Sequence, residues 1–168
     1  TSDDLQRLGL ADHEQLKPRW QRLLECDSSE PRRVLEALKD GVRIRSLASP
    51  FASDAVLVLR PQLSETEIGQ AILRGMFHES KPYDFDFDFT RSDRLVCTEV
   101  VYRSYEKVGG TDFGLTQRAG RLNLSAEDII GMALDHCSFD VKAVSINGQT
   151  PKVATDGEAE SIVRSTLA

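Results

Sequence analysis

Cys97 is the residue of this sequence whose type and position best suit covalent chemistry. The pattern of apolar and capping residues predicts a helix from about Asp93 to Lys107, which places the thiol in the first helical turn. Unpaired backbone amides and the helix dipole favour an anion at such a position and lower the pKa of a thiol there. Cys97 is therefore a candidate nucleophile. The alternative is that it packs as a small apolar side chain between Val96 and Val100.

A cysteine nucleophile needs a base, and the sequence has three histidines. His13 lies in a polar segment, which favours a position on the surface. His78 and His136 each lie near the end of a predicted helix, where a protonated imidazole interacts favourably with the helix dipole. None of the three has a ligand partner at the spacing typical of metal sites. The sequence therefore predicts no metal site and no cofactor.

Aromatic and acidic residues alternate strictly from Tyr83 to Phe89. In an extended backbone this pattern puts the aromatic rings on one side and the aspartates on the other. A calcium-binding loop is excluded, because it needs glycine where Phe89 stands and glutamate where Leu95 stands. We expect the aromatic face to pack on the Cys97 helix, and the aspartates to line a rim or to bind backbone amides.

The composition of the chain limits the class of protein. With 168 residues, of which 40% are hydrophobic, it can bury one ordinary core, so we expect a single globular domain over residues 1–168. A net charge of -6 argues against a nucleic-acid partner, which needs a clustered positive surface. The longest apolar run, Ala55 to Leu59, is far shorter than the roughly 20 residues that a membrane-spanning helix requires.

The cysteines and the chain ends add further expectations. Cys26, Cys97 and Cys137 show no CxxC spacing, which predicts neither a disulfide framework nor a zinc knuckle. The sequence begins with Thr1 and without a signal-peptide pattern, so we expect a processed, tagged or truncated product. Residues 151–168 are expected to form a flexible tail.

Several helices and strands must position Cys97. The sequence predicts, in chain order, two short helices within residues 1–26, a loop at 27–31, a hairpin of strands 33–37 and 42–47, a strand at 55–59 buried on both faces, a capped helix from Ser64 to about Glu79, a helix from Ser125 to about His136, and a strand at 139–146 that ends at Asn147-Gly148. The hairpin turn is predicted at Asp40-Gly41.

Two glutamates lie near these elements. Glu36 stands between Leu35 and Ala37 in the first hairpin strand, and on the strand pattern alone it points to solvent. Glu99 follows Cys97 by two residues on the predicted helix, so its side chain points away from the thiol. We expect Glu99 to be structural.

Four segments of the sequence form a recognisable series: Val34-Leu35-Glu36-Ala37 with Asp40-Gly41-Val42, Val58-Leu59-Arg60-Pro61, Lys81-Pro82-Tyr83-Asp84-Phe85, and Cys97-Thr98-Glu99-Val100-Val101-Tyr102. In order and approximate spacing they resemble the YiiX/YaeF-like permuted papain family, which is related to the NlpC/P60 cell-wall peptidases. The resemblance covers roughly residues 32 to 108. Its most specific part is the Tyr-Asp-Phe segment that leads into the cysteine motif.

The resemblance implies an α+β, permuted papain-like fold of the NlpC/P60 type. In that fold a small, mainly antiparallel sheet, built from the Val34, Val42, Ala55 and Val141 segments, carries the nucleophile helix on one face. It also implies a cysteine hydrolase in which Cys97 attacks an amide or ester carbonyl and Glu36 orients a histidine. Tyr83 is then expected near the substrate. The implied substrate is a peptide, a cell-wall peptide or another amide, with a lipid acyl group as an alternative.

The resemblance leaves the histidine unassigned. The family's order places it on a strand before Glu36, and no strand with a histidine between apolar residues precedes residue 31. We expect that strand upstream of Thr1, which leaves an open sheet edge beside Glu36 through which another chain or a second copy can pair. The alternative is a non-catalytic papain-like binding or structural domain that lacks a complete triad.

Overall fold

The computed structural model describes residues 1–26, 32–147 and 152–167, without the side chains of residues 22–26 and 152. The predicted loop at 27–31 and the predicted turn residue Gly148 lie outside the described residues. The chain divides into two compact units, one formed by Thr1–Leu47 and Ser64–Ser125 and the other by Ala48–Leu63 and Ala126–Ala168. One domain over residues 1–168 stays a prediction.

The described elements are helices and short antiparallel strands. In chain order they are α1 (Ser2–Arg7), α2 (Lys17–Cys26), β1 (Arg33–Leu38), β2 (Gly41–Ser46), α3 (Ala48–Phe51), β3 (Ala55–Pro61), α4 (Glu65–Met76), α5 (Cys97–Tyr105), a 3-10 helix (Val108–Gly110), β4 (Thr116–Arg118), β5 (Arg121–Asn123), α6 (Ala126–Leu134), β6 (Phe139–Ile146), β7 (Lys152–Thr155) and α7 (Asp156–Leu167).

The predicted hairpin of the first unit is confirmed. β1 pairs antiparallel with β2, and the register sets Ala37 opposite Val42. Gly41 lies at the turn with φ of +98°, and a Cβ at this position would lie 2.4 Å from the carbonyl oxygen of Lys81. The glycine therefore lets the chain around Lys81 approach β2, where the amide of Val42 donates to that same carbonyl at 2.8 Å.

Two apolar clusters hold the helices of the first unit on this hairpin. The first joins β2 to α1, α2 and α4, and its buried members are Leu5, Leu10, Leu16, Ile44 and Met76. The second joins the hairpin to α5 through Ala37, Val42, Leu95 and Val100. Because successive strand residues point to opposite faces, Leu35, Ala37, Val42 and Ile44 share the face that packs on the helices.

The helix α4 begins with the capping box that the sequence predicts. The Ser64 hydroxyl accepts from the Glu67 amide, and the Glu67 carboxylate accepts from the Ser64 amide at 2.8 Å. The helix ends at Met76, and His78 follows it in a turn. The prediction of a protonated, helix-capping His78 is wrong. Burial of the ring lowers the pKa of His78 to about 4, and the positive charges of nearby lysine and arginine side chains lower it further.

The second unit is built on a three-stranded antiparallel sheet in the order β3, β6, β7. The segments around Ala55 and Val141 lie in this sheet, whereas those around Val34 and Val42 form the β1–β2 pair, so they do not make one hydrogen-bonded sheet. The prediction that β3 is buried on both faces is wrong, because Val58 is 43% exposed on this edge strand. β4 and β5 form a separate pair.

The predicted flexible tail is also wrong for residues 152–167. They form β7 and α7, and α7 packs on β6 with Ala159 and Val163 buried. These small apolar residues, four positions apart, give the helix a narrow buried stripe. No described helix is both long and apolar enough to cross a bilayer.

Replacement of Gly41 by alanine should destabilise the first unit strongly. The added Cβ meets a backbone oxygen that cannot move without breaking its bond to Val42, and a positive φ is itself unfavourable for alanine. We expect a loss of at least about 3 kcal/mol in the free energy of unfolding, measured by urea denaturation.

Gly110→Ala is the matched control for this substitution. Gly110 also has a positive φ, +82°, but a Cβ added there would meet nothing within 4 Å. It should lose only the backbone cost, about 1–2 kcal/mol. Equal losses of stability in the two variants would mean that the close approach of Lys81 to β2 contributes nothing to the free energy of unfolding.

The lowered pKa of His78 should make stability depend on pH. Between about pH 6.5 and pH 4 the unfolded chain binds a proton at this ring that the folded chain does not bind, so stability is lost as pH falls through this window. His78→Gln should therefore lose less stability than the wild type from pH 7 to pH 4, as measured by urea midpoints. Parallel stability curves for the two proteins would contradict the burial of a neutral ring.

Candidate active site

Cys97 is the first residue of α5 and its side chain is exposed. Val96 precedes the helix with φ of -88° and ψ of 171°, and within the described residues no side chain caps the first turn. Leu95 and Val96 are fully buried just before the thiol. The predicted position of Cys97 in a first helical turn is confirmed, and the alternative of a thiol packed in the core is wrong.

The helix begins four residues later than predicted. Asp93, the expected capping residue, pairs instead with Arg91 at 3.0 Å and with Arg94 at 3.3 Å. Leu95 forms a parallel bridge with Tyr83, in which the amide of Leu95 donates to Pro82 at 3.0 Å. This pairing keeps the chain extended up to Val96, so the helix starts directly at the cysteine.

Asp84 organises the segment that follows this bridge. Its carboxylate is fully buried and accepts from the amide of Asp86 at 3.0 Å and from the amide of Asp88 at 2.7 Å. The two bonds fold the chain into turns, and Phe87 takes φ of +53°. The predicted extended alternation is therefore wrong, since an aspartate points inward here, whereas the expectation that aspartates bind backbone amides is confirmed.

The aromatic residues of this segment divide into two groups. Phe89 is buried, and its ring centroid lies 5.6 Å from that of Tyr102 on α5. Phe85 and Phe87 remain 68% and 48% exposed. Phe89 thus follows the prediction that the aromatic face packs on the Cys97 helix, and Tyr83 packs against the buried cluster that includes Val100 of that helix, whereas Phe85 and Phe87 do not follow it.

Tyr83 lies beside the nucleophile candidate. Its backbone bridges to Leu95, two residues before Cys97. Burial raises the pKa of the Tyr83 hydroxyl above its usual value, and the negative charges of Cys97 and Asp84 raise it further. Like other tyrosine hydroxyls, this phenol is protonated at neutral pH and can donate a hydrogen bond.

Glu99 and Arg103 tie α5 to the same segment. Glu99 is fully buried and pairs with Arg103 at 2.9 Å, while Arg103 also donates to the carbonyls of Phe89 and Arg91, each at 2.7 Å. Burial raises the pKa of the Glu99 carboxyl, and the bonds from Arg103 oppose that shift. The i, i+4 spacing of the pair is the sequence signal that could have found it.

Glu36 is not brought to the face that carries α5. Its neighbours Leu35 and Ala37 pack against the α5 cluster, so strand alternation turns Glu36 to the other face. There its carboxylate lies 2.9 Å from Arg45 Nε. The orienting role that the resemblance implies for Glu36 requires its side chain on the same side of the sheet as Cys97, and the structure places it on the other side.

The histidines occupy three different settings. Within the described part of the first unit, no hydrogen bond or ion pair joins Cys97 to His13 or His78. His13 is half-buried rather than on the surface, with its ring centroid 6.2 Å from that of Phe77. His136 belongs to the second unit, where its ring nitrogens lie 3.7 Å from Asp140 and from Glu160.

Two further features of the described residues are their potential metal ligands and the position of a pocket relative to Cys97. Among them, no three histidine, cysteine, aspartate or glutamate side chains lie close enough to hold a metal ion. A shallow pocket between α1 and α4 is lined by Arg7, Leu8, Leu10, Glu65, Thr66, Gly69, Gln70 and Leu73. It includes neither Cys97 nor Tyr83.

Comparisons with known proteins place this geometry in a family. A sequence model described as "Permuted papain-like amidase enzyme, YaeF/YiiX, C92 family" matches residues 15–159. A crystal structure titled as the metalloprotein yiiX from Escherichia coli O157:H7 matches with a TM-score of 0.46 and 22% identity, over 77% of this chain and 69% of that one. No curated protein matches. The chain has an α+β, permuted papain-like fold and belongs to the YaeF/YiiX family of permuted papain-like amidases.

Proposed function

We propose that this chain carries the nucleophile of a cysteine amidase that transfers an acyl group from an amide or ester to Cys97 and then to water. The observation that carries the proposal is the exposed thiol at the first residue of α5, in a chain of an amidase family. Leu95 and Val96 are buried immediately before it, so the backbone fixes where the sulfur stands.

The reaction follows from the chemistry of a thiolate. Cys97 Sγ attacks the carbonyl carbon, a C–S bond forms, and the base holds the thiol proton. When the C–N bond breaks, that proton leaves with the amine and a thioester remains on Cys97. Water then attacks the thioester, which releases the acid and restores the thiol.

Two groups can stabilise the oxyanion that forms on the carbonyl oxygen. The first-turn amides of α5 have no side-chain cap among the described residues, and they point toward the position of an anion at the helix start. The hydroxyl of Tyr83, whose pKa is raised further above neutral pH by burial, is the second donor and contacts the substrate.

We assign the base to a histidine on a strand that adds beside β1. Cys97 precedes Val100 by three residues, so both lie on the face of α5 that packs on Ala37. β2 is the one described strand paired with β1, so a further strand would add at the other edge of β1. The family's order, in which the histidine strand precedes the Glu36 strand, supports this assignment.

We propose an amide substrate, either a peptide or a cell-wall peptide, with a lipid acyl group as the alternative. The family description as an amidase supports the amide bond. The net charge of -6 supports a partner other than a nucleic acid. Pairing of two copies through β1 is a further proposal, which analytical ultracentrifugation of the intact protein would test.

Cys97→Ala should abolish hydrolysis of an amide or ester by the intact protein that includes the histidine strand. We expect a loss of about 10³-fold or more in kcat, because the acyl intermediate forms on the Cys97 sulfur. Cys137→Ala is the matched control, since Cys137 is also exposed but lies in the second unit. Full activity in Cys97→Ala would leave the non-catalytic binding domain as the better interpretation.

Glu36→Gln separates a structural role from an orienting one. Its carboxylate pairs with Arg45 on the face away from α5, so we expect a loss on the order of 1 kcal/mol in stability and little change in kcat. Arg45→Met should cost somewhat more, because it also removes the ion pair with Asp40 at 2.6 Å, and the double variant should lose less than the sum of the two single losses in urea denaturation. A large fall in kcat with unchanged stability would instead support Glu36 as the residue that orients the histidine.

A further inference from the structure

Phe85 and Phe87 are exposed to solvent on a segment whose backbone is fixed by hydrogen bonds. Both follow Asp84, whose buried carboxylate fixes the amides of Asp86 and Asp88. Arg121 of β5 donates to the carbonyl of Asp86, which ties the segment to the β4–β5 pair. Large apolar side chains that stay exposed on such a constrained segment are typical of binding surfaces.

The backbone conformation of Phe87 supports a functional role. Its φ of +53° is unfavourable for a bulky residue, and asparagine or glycine would adopt it at lower cost. Such outliers persist where the surrounding structure enforces them, and they occur often at ligand-binding sites. The observed conformation presents the ring on the same side as its neighbours Tyr83 and Phe85, since Tyr83 contacts both phenylalanine rings.

Tyr83 connects this surface to Cys97. Its ring centroid lies 5.0 Å from that of Phe85 and 6.3 Å from that of Phe87, in edge-to-face geometry. Its backbone bridges to Leu95, which ends the strand-like segment before the nucleophile. The three rings therefore form one aromatic wall, and the backbone of its first member, Tyr83, pairs with the chain two residues before the thiol.

We propose that Tyr83, Phe85 and Phe87 form a subsite that binds a bulky, uncharged apolar group next to the scissile bond. The inference rests on the proposed function and names the substrate class of that site. Aromatic rings offer large contact areas with few rotatable bonds, so an apolar group is bound at low entropic cost. The side chains of Asp86 and Asp88 on the same segment disfavour an anionic group, and Arg121, 3.8 Å from Asp86, offsets part of that negative charge.

Alkylation of Cys97 tests the subsite without requiring hydrolysis. The thiolate displaces iodide from the CH2 carbon of iodoacetamide, forming a C–S bond as the C–I bond breaks. N-benzyl iodoacetamide adds an uncharged aromatic group, and its 4-carboxybenzyl analogue adds the same ring with a negative charge. Peptide mapping by mass spectrometry then gives the rates at Cys97 and at Cys137, the exposed thiol that serves as an internal reference.

The preference at each thiol is the alkylation rate with the benzyl reagent divided by the rate with iodoacetamide. This preference should be about three- to tenfold larger at Cys97 than at Cys137. The carboxybenzyl reagent should lose that preference. Phe85→Ser with Phe87→Asn should abolish the preference, and asparagine tolerates the positive φ at this position. Phe51→Ser, which removes a ring that is 48% exposed in the second unit, is the matched control and should retain the preference.

Equal preferences at the two thiols, or a preference that survives the double substitution, would overturn the subsite. The proposed function fails separately, through hydrolysis that persists in Cys97→Ala. A chain that prefers the benzyl reagent at Cys97 and yet hydrolyses no amide keeps the subsite as a binding surface and loses the enzymatic role.

Discussion

The packing of Leu95 and Val100 against the β1–β2 hairpin is the interaction on which the site depends. Full burial of each such side chain contributes about 1.5–3 kcal/mol, and here the two residues flank the start of α5. Because Leu95 also bonds to the chain at Pro82 and Asp84, it cannot join the helix. The helix therefore begins at Cys97, and the thiol stands outside the core while the residues on either side of it are anchored.

The buried carboxylates of Asp84 and Glu99 also help to hold α5 in place. Asp84 accepts from two backbone amides, and one carboxylate oxygen of Glu99 accepts from Arg103, which also donates to two carbonyls of the segment between Phe89 and Arg91. The other Glu99 oxygen is buried without a hydrogen-bond partner among the described residues. A buried carboxylate is costly unless such partners offset its desolvation. These hydrogen bonds and the ion pair connect α5 to the segment that carries Tyr83, Phe85 and Phe87. The segment therefore keeps a fixed position relative to Cys97.

Local patterns predicted the elements whose stability is local. The Asp40-Gly41 turn with its alternating flanks predicted the hairpin, and the Ser64–Glu67 capping box predicted α4. The start of α5 was missed because it depends on the pairing of Leu95 with residues far from the helix. The exposure of Phe85 was missed for a similar reason, since the hydrogen bonds of Asp84 override the alternation. Glu36 was assigned to the wrong face because the resemblance took precedence over Leu35 and Ala37, which mark the buried face.

Transfer of an acyl group to Cys97 is the central claim, and trapping the acyl-enzyme tests it most directly. The intact protein would be mixed with an apolar p-nitrophenyl ester, quenched in acid and mapped by mass spectrometry. A thioester should appear on the peptide that contains Cys97, should be removed by hydroxylamine and should be absent from Cys137. Acylation that is equal at the two thiols, or that is absent from Cys97 while the ester is hydrolysed, would contradict a nucleophilic role for Cys97.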